Sequence, residues 1–160
     1  MSVLWVMLLL FTSCAQKESG DAYKVVWEEN FEDSTKLENN WSKIPRGRSD
    51  WNNYMSDYDG LFDVKNGNLV LKGIKNTVLP DDSVPYLTGG VYTKGKRTFS
   101  NGRLEIRARL FGARSAWPAF WLLPENEQWP HGGEIDIMES LNLDDYVYQT
   151  VNSDYTYNQG

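Results

Sequence analysis

The chain has 160 residues and a net charge of −6, with 22 acidic residues against 16 basic ones. That length fits one domain with a sizeable core, and the acidic balance argues against nucleic acid or an anionic membrane surface as partners, favouring neutral ones. Seven Trp and nine Tyr are an unusual aromatic load; such residues fill β-sandwich cores and also stack on sugar rings.

Residues 3–11 are an unbroken apolar run ending in Phe11, followed by Thr12, Ser13 and Cys14. The run is too short to span a bilayer and reads as a signal peptide over residues 1–13. Cys14 is the only cysteine, so no internal disulfide can form. Leu-Phe-Thr-Ser-Cys resembles a bacterial lipobox. The resemblance implies that Cys14 is lipidated and begins the mature protein. The chain would then be a membrane-anchored lipoprotein of the bacterial cell envelope, on the outer surface or in the periplasm, touching the membrane through its lipid anchor only. Phe11 stands where the lipobox usually has Leu, and no Lys or Arg precedes the run; a plain signal peptide is the alternative. Residues 14–22 carry the lipidated Cys and a small, polar, flexible tether.

From Tyr23 onward the pattern predicts short strands and no long helix. Tyr23–Trp27 reads as a first strand. Asn66-Gly67 is a turn signal leading into a strand over Asn68–Ile74, and Gly89–Lys94 is another. Residues 103–110 alternate, with Arg103, Glu105, Arg107 and Arg109 on one face and Leu104, Ile106, Ala108 and Leu110 on the other. That is the signature of a half-buried antiparallel strand. Trp117–Leu123, Glu134–Glu139 and Tyr146–Asn152 complete the set. Many short strands separated by turns predict an all-β fold, a β-sandwich or jelly roll, over residues 23–160. The acidic strand lies within the last thirty residues, so the expectation is a jelly roll that lacks its C-terminal strands.

The strand at 133–139, Gly-Glu-Ile-Asp-Ile-Met-Glu, carries the chemistry. In a regular strand Glu134 and Asp136 share a face while Ile135 and Ile137 point into a core. Glu139 would fall on the wrong face. One β-bulge near Met138 restores its parity and brings all three acids to one side. Crowded carboxylates raise at least one pKa, which separates an acid from a nucleophile. A pair about 5 Å apart is the geometry of a retaining glycosidase.

This stretch resembles glycoside hydrolase family 16, in the laminarinase and agarase branches with the bulged Glu-x-Asp-x-x-Glu motif. Thr88-Gly-Gly-Val91, Gly102–Arg109, Trp117–Pro124 and Trp129-Pro130 stand in the family's order. The resemblance implies a concanavalin A-like jelly roll acting as an endo-glycosidase on a polysaccharide. It further implies that Glu134 is the nucleophile, that Glu139 is the general acid/base, and that Asp136 sets the charge and orientation of Glu134. Trp121 and Trp129 become sugar contacts on the glycone side; stacking suits a pyranose, whose axial C–H groups present an apolar face to a ring. Trp117 is a further candidate contact, although its position suits the core as well. Asn53 is a candidate hydrogen-bonding partner for sugar hydroxyls, or simply a turn residue.

The departures from the family pattern are equally specific. Asn152 stands on the strand after the acids where many members carry a His; it can donate and accept but holds no charge. His131, the single histidine, lies in the Trp-Pro-His-Gly-Gly loop and reads as solvent-exposed. Trp27-Glu-Glu-Asn-Phe31 resembles a segment that helps to hold a structural calcium in the family, but Asn30 replaces a Glu, which leaves that ion undecided. Catalysis by paired carboxylates requires no cofactor. The reading is therefore a monomeric endo-β-glycosidase, most simply for β-1,3- or mixed β-1,3/1,4-glucan. Its rivals are an endo-β-galactanase for agar, porphyran or poly-N-acetyllactosamine, and a non-catalytic glycan-binding lipoprotein.

Overall fold

The structure, a computed structural model, describes residues 23–158. The segments read as a signal peptide, a lipidated Cys14 and a tether lie outside the described residues. Within them the chain runs α1 (Leu37–Asn40), β1 (Ser42–Lys43), β2 (Phe62–Lys65), β3 (Asn68–Leu71), β4 (Gly73–Lys75), β5 (Tyr86–Thr88) and β6 (Val91–Tyr92). It continues through β7 (Ala119–Leu122), β8 (Glu134–Glu139), β9 (Tyr148–Asn152) and α2 (Asp154–Tyr157). Every strand ladder is antiparallel: β1 with β6, β2 with β3, β4 with β5, and a three-stranded sheet in the order β7-β8-β9. This is the all-β class expected.

Local chemistry explains the tight elements. Asn66 and Gly67 both adopt positive φ, 52° and 68°, so β2 and β3 close through a two-residue turn whose twist matches the strands. The 68–74 strand breaks in two, because Lys72 leaves the ladder: its N–H goes to the Leu61 carbonyl and its own carbonyl accepts from Gly89 N–H. That crossing joins the β2–β3 hairpin to β4–β5. Leu61 and Leu87 are fully buried at this junction, with Ile44 nearly so. Gly89 is required there, since a Cβ would sit 3.0 Å from the Leu61 carbonyl oxygen.

Three expectations are corrected. Tyr23–Trp27 forms no strand; Val25 and Val26 are exposed, and Trp27 instead packs its ring on Trp41 and Phe99 with Arg97 over it. Residues 103–110 are in no ladder and mostly exposed. Their alternation specifies an extended backbone, but a strand also needs a neighbour to satisfy its amides, and no described strand runs beside it. Finally, Ile135 does not enter a core: it is 49% exposed, while Asp136 is the buried member of its strand. The apolar side of β8 is open at Ile135, while Ile137 and Met138 are half-buried.

Candidate active site

β8 starts from Gly133, whose φ of 78° and close approach to the Asn152 carbonyl exclude a side chain. Its register fixes which residues share a face. Glu134 stands opposite Asn152, Asp136 opposite Thr150, and Glu139 opposite Tyr148. On the other edge Ala119 faces Glu139 and Trp121 faces Asp136. Between Asp136 and Glu139 the register slips against both neighbours. This is the bulge the sequence called for: Ile137 and Met138 together oppose Gln149 alone. Residues directly paired across an antiparallel ladder point to the same side. Glu134, Asp136, Glu139, Trp121, Asn152, Thr150 and Tyr148 therefore form one surface, the acid face.

Each acid has its own partner. The indole N–H of Trp129 donates to Glu134 Oε2 at 2.8 Å. The indole N–H of Trp117 donates to Glu139 Oε1 at 2.8 Å, which takes Trp117 out of any core and onto the acid face. Asn152 lies between the other two, its amide donating to Asp136 Oδ2 at 3.1 Å and more weakly to Glu134 Oε2 at 3.4 Å. It thus braces two of the acids. Trp121 stands edge-on to Trp51 with ring centroids 5.5 Å apart.

Burial dominates the electrostatics of Asp136. Loss of water, then the charges of Glu134 and Glu139, push its carboxyl up to about 6. The middle acid therefore holds its proton more firmly than an exposed carboxylate and spares the row a third negative charge.

The loop before β8 is tied down at its tip. His131 Nδ1 and a carboxylate oxygen of Asp154 lie 2.9 Å apart. The Asp154 hydrogen bond, then its charge, with Glu127 adding a smaller share, raises the imidazole above its ordinary value. Asp154 is presented by α2, which opens with a capping box between Ser153 and Thr156. From the same helix Tyr157 meets the Trp129 ring edge-on at 5.1 Å. His131 is exposed, as its loop position implied, but it is paired. Only the three-dimensional path of 153–157 reveals the partner.

Asn53 lies in the turn at 51–54, and its Oδ1 is buried with no partner among the described residues. A separate hollow lined by Leu37, Trp41, Lys43, Asp59 and Lys96 shares no residue with the acid face. Among the described residues no group of three or more His, Cys, Asp and Glu side chains could hold a metal ion. In the 27–31 segment the two Glu29 oxygens accept from Phe31 N–H and the Asn40 amide.

A bulged antiparallel strand with three acids on one side, flanked by tryptophans that grip the outer two, defines the class: an all-β glycoside hydrolase domain. Residues 59–158 match the family model described as an XgeA-like catalytic GH16 domain. The chain belongs to glycoside hydrolase family 16. It is 36% identical over 140 residues to a keratan-sulfate endo-1,4-β-galactosidase of Sphingobacterium multivorum, covering 82% of this chain and 32% of that protein. It is 41% identical over 80 residues to a β-glucanase of Rhodothermus marinus, covering 46% and 28% respectively. Against a glucan endo-1,3-β-glucosidase of Cryptopygus antarcticus it is 30% identical over 143 residues, 82% of this chain and 50% of that one. The chain thus spans about a third of the first two relatives it matches.

Proposed function

We propose that this domain cleaves internal β-linkages of a polysaccharide with retention of configuration. The observation that carries the reading is the common face of Glu134 and Glu139, restored by the bulge between them. Glu134 attacks the anomeric carbon while Glu139 protonates the departing glycosidic oxygen. Glu139 then takes a proton from the water that releases the glycosyl-enzyme. Asp136, with its carboxyl pushed up to about 6, is protonated in about half of the molecules at that pH and so lessens the charge beside Glu134. The tryptophans at both ends supply apolar faces for sugar rings. The mechanism needs no cofactor.

The substrate we favour is a β-1,3- or mixed β-1,3/1,4-glucan, in keeping with the glucanases among the relatives. A β-galactan is the second reading, supported by the keratan-sulfate galactosidase match over 82% of this chain. Reducing-end release from laminarin, barley glucan, agarose and keratan-type glycan separates them. Activity on galactans alone overturns the glucan assignment. Binding without release on any of the four overturns catalysis and leaves a glycan-binding protein.

We further propose that residues 1–13 are a signal peptide, that Cys14 is lipidated, and that residues 15–22 tether the domain to a bacterial envelope membrane. Support comes from the apolar run and the Leu-Phe-Thr-Ser-Cys sequence. Palmitate labelling that vanishes in Cys14→Ala is the expected result. Unlabelled protein in the medium overturns the anchor.

A further inference from the structure

Tyr148 lies directly opposite Glu139 in the β8–β9 ladder, so its ring leaves the sheet beside the acid/base on the same face. Tyr146 joins it from the preceding bend, the two rings meeting edge-on at 5.1 Å. Their hydroxyls are 2.9 Å apart, and Tyr148 donates onward to Asp144 Oδ2 at 3.2 Å. A phenol has one proton. Since that of Tyr148 goes to Asp144, that of Tyr146 must go to Tyr148. The Tyr146 oxygen is left with free lone pairs, able to accept from an incoming hydroxyl.

Neither ring is spent on a core. Tyr146 is 56% exposed and Tyr148 37%, yet their hydroxyls are locked in a relay that holds both rings at fixed angles. Rigid, exposed aromatics beside a reactive group are ready-made contact surface for a ligand with an apolar face and a hydroxyl rim. On the other side of Glu139 stands Trp117, gripping Oε1. Glu139 is therefore flanked by aromatic rings on both sides, Trp117 from the segment before β7 and Tyr148 from β9, while Trp129 bonds the other outer acid, Glu134.

We propose that Tyr146 and Tyr148 form a subsite for the leaving-group sugar, a neutral, unsulfated β-linked hexopyranose. The direction rests on the roles proposed above: the proton donor touches the leaving oxygen, so the rings nearest Glu139 belong to the departing side. The charge preference follows from the rim, where Asp144 and Asp145 adjoin the pair and Glu139 lies beneath it. A sulfate there would meet like charge. Asp144 serves as the terminal acceptor of the relay; the hydrogen bond with Tyr146, then loss of water and the Asp144 bond, keep the Tyr148 phenol protonated well beyond its ordinary range.

The test compares substrates that fill this subsite with ones that do not. In Tyr146→Ala and Tyr148→Ala, kcat/KM on laminarin is expected to fall about tenfold, while 2,4-dinitrophenyl β-laminaribioside, whose aryl group replaces the sugar, changes less than about twofold. Transfer of the glycosyl group to added laminaribiose should fall relative to hydrolysis. Equal losses on both substrates, or no loss on laminarin, overturn the subsite. Binding keeps the test independent of turnover. In Glu134→Gln, adding Tyr146→Ala should weaken laminarihexaose about tenfold by calorimetry; unchanged affinity overturns the proposal even if the enzyme is active. A wild type that binds through these tyrosines but hydrolyses nothing overturns the catalytic reading instead. Tighter binding of a 6-sulfated keratan oligosaccharide than of its desulfated form overturns the charge preference.

Discussion

Two regions of the molecule divide stability and chemistry between them. The junction of β2–β3 with β4–β5 buries Leu61 and Leu87 completely and carries no candidate catalytic group. The β7-β8-β9 sheet carries all three acids, yet its apolar side is open: Ile135 is 49% and Val151 64% exposed, and the two are directly paired. Its order comes from the polar side, where indole, amide and carboxylate hold one another. In the first region side chains are placed by packing, which tolerates no lost volume. In the second they are placed by directional bonds, which tolerate shape changes but not lost donors.

The sharpest way to break this division is to remove the acids. Glu134→Gln and Glu139→Gln are each expected to lower turnover on polysaccharide by at least about a thousandfold while leaving the melting temperature within a few degrees. Azide should rescue Glu139→Ala on an activated glycoside and yield the β-glycosyl azide. An α-azide from that mutant means that the two roles are reversed.

Next in size is Leu87→Ala, for which a loss of about 2–5 kcal/mol is expected, a large share of the roughly 5–15 kcal/mol a domain has. Chemical denaturation measures it. Ile135→Ala on the open side should cost under about 1 kcal/mol. Equal losses would mean that the open side is buried in solution.

Asp136→Asn probes the boundary between the two kinds of order. Because burial raises the native carboxyl to about 6, the folded state holds a proton that the unfolded chain releases near pH 4. Stability therefore falls as pH rises from about 4 through 6 and stays lowered above it. The amide variant escapes that penalty. It should be more stable than wild type at pH 7–8, by on the order of 1–3 kcal/mol, with the two converging near pH 4. A constant gap across that range would mean Asp136 titrates normally. The Asn152 contact survives, since the amide oxygen still accepts.

The smallest effect belongs to His131. Its raised pKa means that pairing with Asp154 is present below the unfolded value near 6.5 and is lost as pH rises through the higher folded value. In His131→Gln the Trp129 fluorescence should lose its dependence on pH across that window, with a modest fall in kcat. An unchanged titration would show that the pair does not govern the loop.

What the sequence revealed follows the same divide. β8 and its bulge were legible because alternation and the chemical need for a shared acid face leave one solution for Glu134, Asp136 and Glu139. The role of Trp117 was not, since parity gives a direction but not the atom an indole N–H will meet. The strand read at 103–110 failed for a different reason: period-2 alternation describes one edge of a ladder and says nothing of the other. The His131–Asp154 pair joins a loop to a helix 23 residues further on, with no spacing rule to announce it; the tyrosine relay is local to 144–148, but only the path of the bend before β9 brings its hydroxyls together.

The open side of the acid sheet also sets terms for handling the protein. Paired Ile135 and Val151 facing water make an adhesive patch across β8 and β9, β9 being an edge of that sheet among the described residues, and mutual repulsion between molecules opposes contact through it. That repulsion vanishes near the pI of about 4.8. There Asp136 still holds much of its stabilising proton, so its contribution to folding is largely present at the pH at which molecules gather most readily. Colloidal and conformational optima point in opposite directions, and precipitation from a mildly acidic buffer would be association of folded chains rather than denaturation.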